Sequence, residues 1–244
     1  MYRRYITLNQ IIIKEKILYL SLSFIFFTIL GTITHEFGHI MMAESLGYDS
    51  TLHYGSMNYD NSKLNEEIDS IYSEYKFQIE NDLSFPEQRL FNKKLDRLYA
   101  DDLKVLMGGP VQTLLTGILG LIILGYRKAS IEENGMTLLD WIAVFLSLFW
   151  LREVFNLVHS FLVGIFYKQP DFFGGDERYI SEYYGLYPGT LPIILGILGL
   201  LITLFVIFRI LPKALQIPFI VSGLIGGISG YIIWFHVVGP FLLP

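Results

Sequence analysis

The sequence predicts an all-α integral membrane protein: about five transmembrane helices, with a soluble helical loop inserted between spans one and two. Three observations predict it. Of the 244 residues, 52% are hydrophobic and only 17% charged, against about 25% charged in a typical globular domain. Five stretches approach the roughly 20 apolar residues that a helix needs to cross a bilayer. Charge is also segregated: segment 49–104 holds seven basic and twelve acidic residues, which accounts for the whole net charge of −5. The balance excludes a disordered chain, a fibrous repeat and a nucleic-acid binder with a basic face. The absence of cysteine excludes disulfides and thiolate metal sites.

The spans follow in order. Residues 17–34 and 105–126 carry no charge. Residues 141–167 are apolar except for Arg152-Glu153 at their middle, a pair that could split the span. Arg152 is expected to pair with Glu153 or Asp140, because an unpaired charge in a span is costly. Residues 187–208 and 216–238 complete the set, with Gly223/Gly227 and Gly226/Gly230 at the spacing of close helix contacts. The basic start resembles a signal peptide, but no small-residue cleavage site follows the long apolar run, so the first span is expected to stay. Lysines and arginines of the N-terminal arm, Arg127-Lys128, and Arg209 with Lys213 fall on one side of a five-span chain. That places the N-terminus inside, in a membrane such as the bacterial cytoplasmic one.

Three parts result: 1–48, an N-terminal arm and span; 49–104, the soluble, acidic, mainly helical insertion; and 105–244, the remaining bundle. Within the insertion, 51–61 suits a small hairpin. Leu64, Ile68, Ile71, Tyr75 and Ile79 recur at helical spacing. Ser84-Phe85-Pro86-Glu87 has capping-box spacing ahead of a second helical face. These two amphipathic helices are either an ordinary solvated face or a lid over the membrane site.

The first span runs into Thr34-His35-Glu36-Phe37-Gly38-His39. His35 and His39 lie at i and i+4, so both imidazoles project from one helical face and can hold one zinc ion, with Glu36 beside them as base for the attacking water. With only five histidines in 244 residues, the pattern arises by chance in about half a percent of such chains. The long metzincin motif is excluded, since its Gly and third His would fall where Met42 and Ser45 stand. A catalytic zinc ordinarily takes three protein ligands. Asp176, with Asp171 as the alternative, is the candidate third ligand, beside the Gly174-Gly175 turn. His53 is a weaker one, and His159 and His236 read as packing residues.

Together these motifs resemble the site-2 protease family, the zinc intramembrane metalloproteases. His35-Glu36-Phe37-Gly38-His39 lies in a membrane helix, Gly108-Gly109-Pro110 opens a following apolar helix, and Asn156 and Asp176 come later in the family's order. The glycines precede Asp176, whereas the family's Asp ordinarily precedes its Gly. The resemblance implies a zinc-dependent endopeptidase that hydrolyses peptide bonds in or near transmembrane segments of membrane proteins. It implies one Zn2+, a membrane-protein substrate helix as partner within the lipid bilayer, and no nucleic acid. Glu36 would be catalytic, and His35, His39 and Asp176 would be ligands. Gln112, Thr113 or Asn156 would stabilise the oxyanion or position the substrate. The rival classes are a catalytically inactive zinc-binding scaffold and a transporter.

Overall fold

A computed structural model describes residues 2–168 and 172–244, with side chains from residue 14 onward. The fold is helical apart from one short hairpin. Helix α1 (Tyr2–Ser45) leads into strands β1 (Ser50–Leu52) and β2 (Met57–Tyr59), which pair antiparallel with Thr51 opposite Asn58. Helices α2 (Ser62–Glu74) and α3 (Lys76–Glu80) follow, then the long α4 (Gln88–Asn134). The third apolar stretch is α5 (Leu138–Ser147), a 3-10 turn (Leu148–Trp150) and α6 (Leu151–Tyr167). After α7 (Asp176–Tyr183) come α8 (Thr190–Phe205) with a π-helical end (Val206–Ile210), α9 (Lys213–Ile232) with a second π turn (Ile233–Val238), and α10 (Gly239–Leu242).

Five segments are long and apolar enough to cross a membrane: Lys14–Ser45, Gln88–Asn134, Leu138–Tyr167, Thr190–Ile210 and Lys213–Leu242. Their outward faces are apolar, with Leu115, Leu201, Leu224 and Ile228 each more than half exposed. Such faces suit lipid and would not be sustained in water. The core lies where α1, α4, α5 and α9 meet, around Phe24, Phe145 and Phe219. Phe24 meets Phe145 edge-on at 5.0 Å and Phe219 at 4.9 Å, arrangements that favour aromatic pairs. The spaced glycines of α9 serve this packing. A Cβ on Gly226 would stand 2.4 Å from the Ser21 carbonyl oxygen of α1, so only glycine lets the two backbones meet there.

Five expectations are corrected. Segment 49–104 does not close before span two: the polar stretch from Gln88 and the apolar stretch from Val105 form one continuous 47-residue helix. Hydropathy changes at that point, but nothing breaks the backbone pattern. Ser84 does not cap this helix. It starts at Gln88 with Glu87 at the cap and no capping side-chain bond. Gly108-Gly109-Pro110 lies inside α4 rather than opening it. Arg152 pairs with neither expected partner, because Arg127 holds Asp140 through both of its oxygens. The Arg152-Glu153 pair does not split the span: it lies inside α6, just after the 3-10 turn at Leu148–Trp150, and Leu138–Tyr167 runs as one helical segment. In the insertion, Leu64, Ile68 and Ile71 are buried against Phe91 of α4.

Candidate metal centre

The site is built where α1 crosses α4. A Cβ on Gly38 would come within 2.4 Å of the Gly108 carbonyl oxygen, and one on Gly108 within 2.3 Å of the Gly38 carbonyl oxygen. Contacts this short admit only hydrogen at either position. The glycine of the His-Glu-Phe-Gly-His segment and the first glycine of Gly-Gly-Pro are therefore the two halves of one backbone crossing. Gly109 has a different task. Its Cβ would lie 2.3 Å from His39 Nε2 and 2.5 Å from His35 Nε2, in the space between the two rings.

Each imidazole is held from behind. His39 Nδ1 stands 2.7 Å from the Val105 carbonyl oxygen. A carbonyl only accepts, so His39 carries its proton on Nδ1 and leaves Nε2 as a bare lone pair. The Gly109 N–H also points at that nitrogen, but at 3.3 Å, and the shorter contact decides the tautomer. The helical donor to the Val105 carbonyl would be this Gly109 N–H, and its turn toward His39 leaves that carbonyl for the ring. His35 Nδ1 lies 2.9 Å from Thr113 Oγ1. The Thr113 hydroxyl can accept from that nitrogen, and in that tautomer Nε2 is a lone pair, the form a metal ligand takes.

Asp176 completes the cluster from the other side. It is the first residue of α7, and the turn before it needs Gly175. Gly175 has φ +84°, and a Cβ there would come 2.7 Å from Glu177 Oε2. The loop is fixed by Gly174 N–H donating to Ser160 Oγ at 3.3 Å and by Arg178 Nη1 donating to the Phe173 carbonyl at 2.9 Å. Asp176 Oδ2 lies 2.9 Å from His35 Nε2 and 3.3 Å from His39 Nε2, and the two nitrogens are 3.2 Å apart.

Three donor atoms thus converge with their lone pairs facing one another. With both Nε2 atoms deprotonated, that arrangement calls for a cation between them. A tetrahedral zinc with Zn–N bonds of about 2.0 Å has ligand-to-ligand edges of about 3.3 Å, close to the three separations above. The donor set of two neutral imidazoles and one carboxylate also suits a catalytic zinc. Thr113 and the Val105 carbonyl orient the imidazoles from outside, as metal-binding histidines require. Among the described residues, His35, His39 and Asp176 are the one group placed to share a metal ion. His35 is wholly buried, and Glu36 and His39 nearly so.

No protein-family model, curated protein or solved structure matches this chain. The site therefore has to be judged on its own geometry.

The remaining expected residues are dispersed or otherwise engaged. Asp171 lies outside the described residues. Thr113 is occupied by His35. Gln112 Nε2 donates to Thr116 Oγ1 at 3.0 Å, while its Oε1 is buried with no partner among the described residues. Asn156 lies beside the Asp176 turn, its amide nitrogen 3.4 Å from where a Gly175 Cβ would be. His53 is in the hairpin and engages Pro244 and Asn58, away from the cluster. His159 is exposed and stacks on Phe155, and His236 is exposed near Tyr231; neither is the hydrogen-bonded packing residue expected.

Sequence reasoning missed a buried charge cluster behind Asp176. Glu153 and Glu177 are each 1% exposed. Glu153 Oε1, both Glu177 oxygens and Arg152 Nε lack hydrogen-bond partners among the described residues. Burial and the nearby Asp176 charge push the Glu177 carboxyl up, against the pull of Arg152. The charges of Arg152-Glu153 were visible in sequence. Their convergence with Glu177, 24 positions later, required the fold.

Proposed function

We propose that the protein is a zinc-dependent endopeptidase acting within the membrane, similar in chemistry to the site-2 proteases. The observation that carries this reading is the convergence of His35 Nε2, His39 Nε2 and Asp176 Oδ2 to within 3.3 Å, with Glu36 next to the first ligand on the same helix. Zinc, when bound, would supply Lewis-acid polarisation of a peptide carbonyl and acidify a water.

The chain's own residues supply the rest. His35 and His39 present neutral nitrogens because Thr113 and the Val105 carbonyl take their other ring positions. Asp176 contributes the negative charge that a dication needs. Glu36 accepts the proton of the attacking water and returns it to the leaving amine. Asn156, beside the Asp176 turn, and Gln112, with its unpartnered carbonyl oxygen, are the polar groups available to hold an extended substrate backbone. Gln112 Oε1 suits a substrate N–H, and the Asn156 amide suits a carbonyl. The apolar outer faces suit a membrane-spanning substrate, which must unwind locally because helical carbonyls are already hydrogen-bonded.

The test is zinc analysis of detergent-purified protein, together with cleavage of a co-expressed membrane protein. Glu36→Gln should keep zinc and lose cleavage, whereas His35→Ala should lose both. A zinc-free wild-type protein overturns the reading. A wild type that holds zinc but behaves in cells like Glu36→Gln would instead be a binding scaffold.

A further inference from the structure

Away from the metal centre, a groove of about 400 Å³ opens between α4 and the π-helical end of α8. One wall is Leu121, Gly125 and Lys128, spaced i, i+4 and i+7 and so aligned on one face of α4. The other is Leu201, Ile202, Phe205 and Ile210. Gly125 is what opens it: a Cβ there would meet nothing within 4 Å, so the missing side chain leaves space. Ile210 belongs to the π segment Val206–Ile210, a local departure from α geometry of the kind that marks functional positions. Leu201 and Phe205 are 58% and 48% exposed, and their outward faces form an apolar lip.

We propose that this groove is a binding site for an anionic phospholipid of the surrounding leaflet. The argument is one of depth and charge. Leu121 to Lys128 spans about 10 Å of helix axis. The uncharged run of this span ends at Tyr126, so Lys128 sits at headgroup level while Leu121 and Gly125 lie at acyl-chain depth. A cation above an apolar trough matches one amphiphile, a negatively charged headgroup over an acyl chain. Among the described residues no ion pair engages Lys128, whereas its neighbour Arg127 is committed to Asp140. Arg209, next to the lining residue Ile210, and Lys213 add positive charge at the same end. The acidic groups of this end are Glu15 near the start of the first span, Asp140, which Arg127 holds, and Glu132 and Glu133 past Lys128 near the end of α4; the groove lining itself has no carboxylate.

The site is independent of zinc, so its test does not depend on the proposed activity. Delipidated protein in neutral detergent is titrated with phosphatidylglycerol or phosphatidylcholine, while thermal unfolding and, by native mass spectrometry, bound lipid are followed. Wild type should prefer phosphatidylglycerol about fivefold, the worth of one lysine near an anionic headgroup. Lys128→Gln should remove the preference, and Lys128→Arg should keep it. Gly125→Leu, which fills the trough and favours helix, should abolish the bound lipid while zinc content stays unchanged. Equal binding of the two lipids by wild type, or an undiminished preference in Lys128→Gln, overturns the proposal. Retention of the lipid by Gly125→Leu overturns its location. Should either variant fail to fold, wild type decides: a bound phosphatidylglycerol that cannot be photo-crosslinked to α4 near Gly125 refutes the site.

Discussion

Asp140 and Asp176 are both acidic residues at helix starts, and they are satisfied in opposite ways. Asp140 is fully buried and closed. Arg127 grips both of its oxygens, and Thr137 donates to Oδ2 from its backbone N–H at 2.8 Å and from its hydroxyl at 2.6 Å. Its charge is neutralised within the chain, and the reciprocal bonds with Thr137 make a capping box for α5. Asp176 faces two imidazole nitrogens whose other ring positions are already committed, and no arginine or lysine among the described residues forms an ion pair with it. A carboxylate closed by arginine holds a helix. A carboxylate aimed at two bare nitrogens prepares a site for something from outside.

The contrast can be broken from both ends. The largest effect should come from Glu36→Gln. On the proposed peptidase reading, peptide hydrolysis should fall by about 10²–10⁴-fold, as for loss of a general base, while zinc content by elemental analysis should stay at the wild-type value. Gly109→Ala should come next, because its methyl would enter the space between the two Nε2 atoms. Zinc affinity, measured by competition with a chelator, should fall by at least tenfold, with helix content by circular dichroism unchanged. Undiminished zinc in this variant would show that the rings do not meet over Gly109.

Asp140→Ala tests the closed carboxylate. It should lower stability by about 2 kcal/mol through loss of the cap and of the charge-assisted bonds, read as a fall in unfolding temperature, with zinc content unaffected. The smallest effect should belong to Lys94→Ala in the insertion. Lys94 Nζ lies 2.5 Å from Glu67 Oε2 and holds that carboxyl below its usual range. A lowered carboxylate pKa stabilises the fold above the usual range and loses that contribution as pH falls through the folded-state value. The Lys94→Ala difference should therefore be small at pH 7, vanish in strong acid and shrink in high salt.

Legibility in the sequence followed the range of the interaction. The spans were legible because bilayer thickness sets a length and composition that one helix satisfies alone. The hairpin and the apolar face of α2 were legible from short-range alternation and periodicity. The unbroken run from Gln88 to Asn134 was not, because a change from polar to apolar residues looks like a boundary while leaving helix propensity unchanged. At the candidate metal centre, His35, Glu36 and His39 could be read from a five-residue segment, since i and i+4 share a face in any helix. The Asp176 contact spans 141 positions, and no local pattern encodes it.

By itself, then, the sequence determined the helices, their apolar lengths and the pairing of two histidines on one face, all properties of a helix considered alone. Tertiary structure decided that Gly38 and Gly108 are one crossing, that Thr113 and the Val105 carbonyl stand behind the two imidazoles, and that Asp176 arrives opposite both rings. It also decided that Arg127, and not Arg152, neutralises Asp140. The physical reason is common to all four. Each depends on how closely separate helices approach, and that distance is set by packing across the bundle, where the absence of a side chain at one position matters only once the facing backbone is in place.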